Sequence, residues 1–291
     1  MTLWAHIAEA ISESTGKTFK LSTQHVMGGG CINESNRITD GDRSFFVKTN
    51  SHVHGDMFDA EAESLQALAS AGAIKVPEPV CHGVSGQQCY LVLEFLDMRG
   101  TPDMVQLGHQ FAEQHRVIQS RFGWHRNNTI GSTPQINNPM DDWIEFWRTN
   151  RLGYQLHLAA TRGYGGELQR LGERLMADLP VLFESYQPQA SMLHGDLWGG
   201  NASALVDGTP VIFDPALNYG DREADLAMTH LFGGFNRDFY SAYGEAWPLD
   251  DGYSVRKIFY NLYHIINHLN LFGGTYHAQA IDMTKRVLSE I

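Results

Sequence analysis

Between Ser191 and Pro215 the chain runs two short apolar stretches, and each ends in an acid. The first, Ser191-Met192-Leu193, opens onto His194-Gly195-Asp196; the second, Val211-Ile212-Phe213, ends in Asp214-Pro215. Asn201 follows Asp196 by five positions and precedes Asp214 by thirteen. Apolar runs this short, bounded by Gly, Pro and Asp, read as buried strands rather than helices. A fold that accommodates them delivers Asp196, Asn201 and Asp214 from strand ends and a connecting loop, where side chains can meet a ligand. Each half alone reads equally well as an ordinary turn, because Asp, Asn and Gly fill turns for local hydrogen-bonding reasons. The two halves together, strand, acid, loop, Asn, strand, acid, argue for a site.

Two carboxylates and an amide in this order suit phosphoryl transfer to a hydroxyl. One carboxylate meets the acceptor O–H, while oxygen ligands hold Mg²⁺ on the nucleotide phosphates. Kinase-type sites take an Asp and an Asn from one loop and a second Asp from the end of the next strand. Asp196 is thus expected as the catalytic base, and Asn201 and Asp214 as metal ligands. His194 is expected to hold the loop through a backbone hydrogen bond rather than to act as acid or base.

The bulk numbers permit this. A chain of 291 residues has room for two lobes, each with a core. A net charge of −12 argues against nucleic acid as the main partner, since a polyanion needs a basic face. It does not exclude ATP, whose charge one Lys, Mg²⁺ and backbone N–H groups can meet. No apolar run reaches the length of a membrane span, and the N-terminus lacks a basic-then-apolar signal pattern. Three cysteines, Cys31, Cys81 and Cys89, without a CxxC spacing suggest neither a disulfide framework nor a zinc knuckle. A reducing cytoplasm is the expected compartment.

Apolar spacing predicts a leading helix over 3–14. Strands are predicted over Lys20–Val26, Cys31–Thr39 and Arg43–Lys48, joined by Gly28-Gly29-Gly30 and by the hairpin signal Asp40-Gly41. Phe58, Ala62, Leu65, Leu68 and Ala69 form a helical stripe over Met57–Ala71, and Cys89–Phe95 reads as a buried strand. A linker is expected at 96–102. Beyond it helical patterns dominate, over 104–118, 141–161, 166–186, 222–233, 254–272 and 275–290, with an irregular stretch at 121–140. The expected fold is α+β and two-lobed, protein-kinase-like, with a nucleotide-binding lobe at 1–96 and a catalytic and substrate-binding lobe at 97–291.

Lys48 closes the third strand, and Glu61 lies on the helix that follows, with Glu63 as its competitor. In a kinase-like lobe such a Lys contacts the α- and β-phosphates and is positioned by a helix Glu. Gly28, Gly29 and Gly30 permit close backbone approach, so the turn is expected to lay N–H groups over phosphates. Cys31 in the same turn is either a half-buried small residue or a redox-sensitive thiol. Glu94 and Leu96 flank the position where backbone groups would meet an adenine. On the acceptor side, Trp198, Tyr219 and Phe232 offer aromatic surface, and His264, Asn267 and His268 share a helix face; plain packing is the alternative for all six.

These segments resemble the fructosamine kinase (ketosamine-3-kinase) family. The resemblance is carried by Gly28–Glu34, Phe46-Val47-Lys48, Met57-Phe58-x-x-Glu61, His194-Gly195-Asp196-Leu197-Trp198-Gly199-Gly200-Asn201 and Asp214-Pro215-Ala216. Further matching segments are Phe122-Gly123-Trp124-His125, Tyr219–Ala227 and Leu231-Phe232-Gly233-Gly234-Phe235. It implies an aminoglycoside-phosphotransferase-like kinase fold and ATP- and Mg²⁺-dependent phosphorylation of the sugar 3-hydroxyl of a ketosamine. The acceptor would be a small fructosamine or ribulosamine or a glycated protein lysine. The implied pathway role is deglycation, because the phosphorylated product releases the amine. Carried over by position, Asp196, Asn201, Asp214, Lys48 and Glu61 keep the roles given above. The expected assembly is a monomer or a weak dimer, redox-dependent if Cys31 is a switch. Two rival readings are a kinase of another small hydroxyl compound, such as an aminoglycoside or choline, and a non-catalytic nucleotide-binding regulator.

Overall fold

The computed structural model describes residues 2–28 and 33–291. They divide into two compact units, one comprising Met1–Asp103 with Ser203–Pro215, the other Met104–Ala202 with Ala216–Ile291. The first unit opens with α1 (Leu3–Thr15), capped by the Thr2 hydroxyl at its start and by Gly16 in the left-handed conformation at its end. Strands β1 (Thr23–Met27), β2 (Glu34–Thr39) and β3 (Ser44–Ser51) follow. Then come α2 (Gly55–Ala71) and the hairpin β4 (Pro79–Ser85) and β5 (Gln88–Glu94). They form one antiparallel sheet in the order β1-β2-β3-β5-β4. The period of two along β3 sorts its side chains. Phe45 and Val47 join Ile38, Tyr90 and Val92 in a core closed by Ile7 and Ile11 of α1. Lys48 shares its face with its cross-strand partners Ser35 and Leu91.

The second unit begins with α3 (Met104–His115), β6 (Ile118–Gln119) and the small hairpin β7 (Asn128–Ile130) and β8 (Thr133–Gln135). Helix α4 (Trp143–Trp147) runs through a π turn, Arg148–Leu152, into α5 (Gly153–Thr161). Next come α6 (Glu167–Asp178) and β9 (Ala190–Leu193). With β10 (Ala202–Ala204) the chain returns to the first unit, and β11 (Pro210–Ile212) is laid there beside Lys75, whose carbonyl accepts from Ile212 N–H at 3.0 Å. Asp214 is therefore part of the first unit. The second unit resumes with β12 (Asn218–Gly220), α7 (Arg222–Thr229), α8 (Arg237–Ala246), α9 (Tyr253–Phe272) and α10 (Tyr276–Ser289). Its core gathers Phe146, Trp147, Leu156, Leu175, Phe259 and Ile266, and every residue of α7 is buried.

The structure adds β4, β6, β12 and α8 to the elements the pattern predicts. It also ends the expected helix over 222–233 at Thr229, because Phe232, Gly233 and Gly234 all take positive φ. The stretch at 121–140 is ordered by β7, β8 and by backbone bonds between Phe122 and Met140 at 2.8 and 3.0 Å. Among the described residues no helix is long and apolar enough to cross a membrane.

Candidate active site

In the first unit, three charges from three separate segments converge. Lys48, 5% exposed, donates from Nζ to Glu61 Oε1 of α2 at 2.6 Å and to Asp214 Oδ1 at 2.5 Å. The helix register decides which acid is used: Glu61 meets Lys48, two positions before its competitor Glu63. Burial by itself would push the Lys48 ammonium down. The Asp214 and Glu61 carboxylates more than offset it and hold Lys48 above its ordinary range. Burial pushes the Glu61 carboxyl up. Asp214 takes φ 57, a left-handed conformation that Asp tolerates better than most side chains, at the point where the strand β11 must turn. Its side chain remains 43% exposed, so only Oδ1 is committed to the lysine.

Glu94 closes β5 and accepts from Lys75 Nζ at 2.8 Å, while its N–H donates to Glu78 O. Leu96 accepts from Met98 N–H at 3.0 Å, and the Leu96 N–H has no backbone partner among the described residues. Gly28 follows β1, and a Cβ there would meet nothing within 4 Å. Gly29, Gly30 and Cys31 lie outside the described residues.

In the second unit, β9 leads into the loop His194–Asn201. Gly195 takes φ 83, and a Cβ on it would lie 2.1 Å from Ala216 O, so both the dihedral and the space demand glycine. The loop is held from within and from below. Asp196 N–H donates to His194 Nδ1 at 3.3 Å, consistent with the holding role expected of His194. Asn201 Nδ2 donates to Asp196 O at 2.9 Å and to Asp196 Oδ2 at 3.3 Å, which fixes the acid's rotamer. Beneath them Asp225 of α7, 2% exposed, accepts from His194 N at 2.6 Å and from Gly195 N at 2.8 Å.

Asp225 has no role in the sequence reading, yet its signal is present. Asp221, Arg222, Glu223 and Asp225 crowd the first turn of a helix too short to expose them all. Charges on such a helix must be paired inside. Asp221 accepts from the Tyr186 and Tyr260 hydroxyls at 2.8 and 2.5 Å, and Glu223 receives both ends of Arg256 at 2.6 and 3.1 Å.

Of the six acceptor-side residues, three come together. Trp198 meets Phe232 edge-on at 5.9 Å between ring centroids, and Phe232 meets His268 at 4.7 Å. Phe232 is 40% exposed and takes φ 53, an uncommon conformation for a bulky side chain. His268 Nδ1 bonds to His264 O at 2.8 Å. His264 is buried, its Nδ1 without a hydrogen-bond partner among the described residues, and burial pushes its pKa down to about 3. Asn267 stands apart: its amide accepts from Gln155 and donates to Ile130 O, both at 3.2 Å. Tyr219 lies in β12 opposite Met192, with its backbone bonded to Gly123.

In each unit taken by itself the donor chemistry suits a hard cation: in the second unit Asn201 keeps its amide oxygen unengaged among the described residues, and in the first Asp214 keeps Oδ2, and Mg²⁺ prefers such carbonyl and carboxylate oxygens.

This is the protein-kinase-like fold of the small-molecule phosphotransferases. An aminoglycoside phosphotransferase, 14% identical, superposes with a TM-score of 0.61, covering 97% of this chain and 98% of that one. Within that class, a family model described as fructosamine kinase matches residues 3–290, and the chain belongs to the fructosamine kinase family. A Synechocystis protein named "Probable ketoamine kinase" is 46% identical over 288 residues, spanning 98% of this chain and 97% of its own. The protein-ribulosamine 3-kinase of the rice chloroplast (Oryza sativa subsp. indica) is 40% identical over 274 residues, spanning 92% and 79%. A crystal structure of a candidate fructosamine-3-kinase from Haemophilus somnus is 29% identical, with a TM-score of 0.90 and coverage of 98% and 97%.

Proposed function

We propose that this chain transfers the γ-phosphoryl group of ATP to the sugar 3-hydroxyl of a ketosamine, and that the reaction serves deglycation. The observation that carries the phosphotransfer reading is the buried lysine held between a helix carboxylate and a strand-end carboxylate. An ammonium fixed in this way stays charged and is oriented without further reorganisation. The ketosamine acceptor is supported by the relatives named for ketoamines and ribulosamine, aligned over nearly the whole chain.

In this mechanism Lys48 contacts the α- and β-phosphates, with Glu61 as its orienting partner. Asn201 and Asp214 supply oxygen ligands to Mg²⁺, which when bound offsets charge on the phosphates. Asp196, its rotamer set by Asn201, accepts the proton of the sugar O–H as the new O–P bond forms and ADP departs with the β–γ bridging oxygen. Gly28, with Gly29 and Gly30 assigned from the sequence alone, is the phosphate-facing turn of this reading, and the backbone around Leu96 meets the adenine. Trp198, Phe232 and His268 form the wall of the acceptor site, with His264 behind them. Asn267, with its amide engaged at both ends, is left out.

The test is ADP release with a panel of ribulosamines, fructosamines, glycated protein lysines, aminoglycosides and choline, each with ATP and Mg²⁺. A new phosphomonoester signal by ³¹P NMR identifies the product. Turnover on ketosamines alone supports the reading. Turnover on aminoglycosides or choline with none on ketosamines overturns it.

A further inference from the structure

Two opposite charges lie buried three residues apart on α7, Arg222 at 5% and Asp225 at 2% exposure. They are joined indirectly, through side chains contributed by two other helices. Arg222 Nη1 bonds to the Tyr243 hydroxyl of α8 at 3.1 Å. That hydroxyl bonds to His115 Nδ1 of α3 at 2.9 Å, and His115 Nε2 bonds to Asp225 Oδ2 at 3.3 Å. The donors have only one consistent direction. A carboxylate can only accept, so His115 Nε2 carries the hydrogen. In a neutral ring Nδ1 must then accept, so Tyr243 donates to it, and the Tyr243 oxygen accepts from Arg222. Burial pushes His115 toward its neutral form, in agreement with that assignment. Asp225 in turn receives the N–H groups of His194 and Gly195, the two residues before Asp196.

We infer that His115 and Tyr243 are positioning residues for the Asp196 loop, relaying the Arg222 charge to Asp225 so that its carboxylate clamps the His194 and Gly195 amides. Asp225 Oδ2 serves both the His194 N–H and the imidazole, and Oδ1 serves Gly195. Without the imidazole bond the carboxylate can rotate, and the loop amides lose a fixed acceptor. Buried hydrogen-bond chains polarise along their length, so a break at Tyr243 is felt at Asp225 as well. Neither residue touches a reacting group; each acts through Asp225. The effect on turnover rests on the phosphotransfer reading above, whereas the effect on the loop does not.

The experiment compares His115→Phe, His115→Gln and Tyr243→Phe with the wild-type chain and with the double variant His115→Phe/Tyr243→Phe. Four quantities are read: kcat, KM for ATP, Tm, and hydrogen exchange at the His194 and Gly195 amides. His115→Phe and Tyr243→Phe are expected to lower kcat by about tenfold with little change in KM, as for a slightly misplaced catalytic group. The two amides should exchange faster in both variants. His115→Gln, which keeps a donor for Asp225, should restore most of kcat and of the protection. The double variant should be no worse than the more damaged single one, because one chain is broken only once. Unchanged amide protection in both single variants, or losses of kcat that multiply in the double variant, overturn the relay. If the wild-type chain phosphorylates no ketosamine, the amide readout still decides the relay while the functional reading fails separately.

Discussion

Lys48 cannot be removed without leaving two acids facing one another. Glu61 is the more deeply placed, its side chain 10% exposed against 43% for Asp214. Stripping the cation from a buried pair costs about 3–5 kcal/mol, and the solvent reach of Asp214 places this site toward the lower end. Lys48→Met should therefore destabilise the protein by about 3 kcal/mol in urea unfolding, besides abolishing productive nucleotide binding. Adding Glu61→Gln should recover more of that loss than adding Asp214→Asn, since Asp214 can turn to water. Equal recovery by both would mean that burial does not distinguish the two acids. Asp196→Asn is a milder change, because the amide can still accept from Asn201. It should lower kcat by about 10²–10⁴-fold, the range for a lost general base, with ATP affinity by calorimetry nearly unchanged. A variant near wild-type turnover would remove Asp196 from the chemistry.

Helices α3 and α8 must lie close for Tyr243 to reach His115, and one residue allows it. A Cβ at Gly108 would lie 2.5 Å from Phe239 O and 2.9 Å from the Ala242 Cβ, both on α8. Gly108→Ala should force the helices apart at a cost of about 1–3 kcal/mol, the range for overpacking, and should lower kcat beyond what the loss of Tm explains. If kcat holds while Tm falls, the helix spacing matters for stability alone. At this scale the sequence is readable where one physical signal dominates. The stripe Phe58, Ala62, Leu65, Leu68 marks α2, and Asp40-Gly41 marks the hairpin between β2 and β3. Helix α8 carries the same kind of signal, an Asn236 N-cap before Phe239, Ala242 and Tyr243, but nearby glycines and aromatic residues mask it. Strand β4 is harder: it starts on a proline, lies at the sheet edge and is only half-buried, so it lacks clean alternation. The groups assigned to the proposed chemistry stand out by spacing, as Asp196, Asn201 and Asp214 do. Asp225 and His115 act through partners more than a hundred or some thirty residues away, and spacing along one chain carries no trace of such pairs.

Acid stability belongs to the molecule as a whole, because it sums every group whose protonation differs between folded and unfolded chain. His264 is held neutral by burial, its pKa down to about 3, while the unfolded chain presents an ordinary imidazole near 6.5. Below about pH 6.5 the unfolded state therefore binds a proton that the folded state refuses. The stability conferred by this neutral histidine is complete above that pH and is lost progressively as pH falls toward 3, at about 1.4 kcal/mol per pH unit. His115 and His268 are shifted in the same direction by burial and steepen the slope. Glu223, pushed up to about 7 by burial, and Glu61, pushed up by burial, work against that slope, because the folded chain takes up their protons before the unfolded chain does. Urea unfolding followed from pH 7 to pH 4.5 isolates the histidine contribution when the wild-type chain is compared with a variant that lacks it, since the carboxyl contributions cancel in the difference. His264→Leu removes a titrating group and should flatten that slope by about 1.4 kcal/mol per pH unit, leaving stability at pH 7 less affected than at pH 5. An unchanged slope would mean that His264 takes up its proton in the folded chain, through an opening that admits water to the core between α7 and α9.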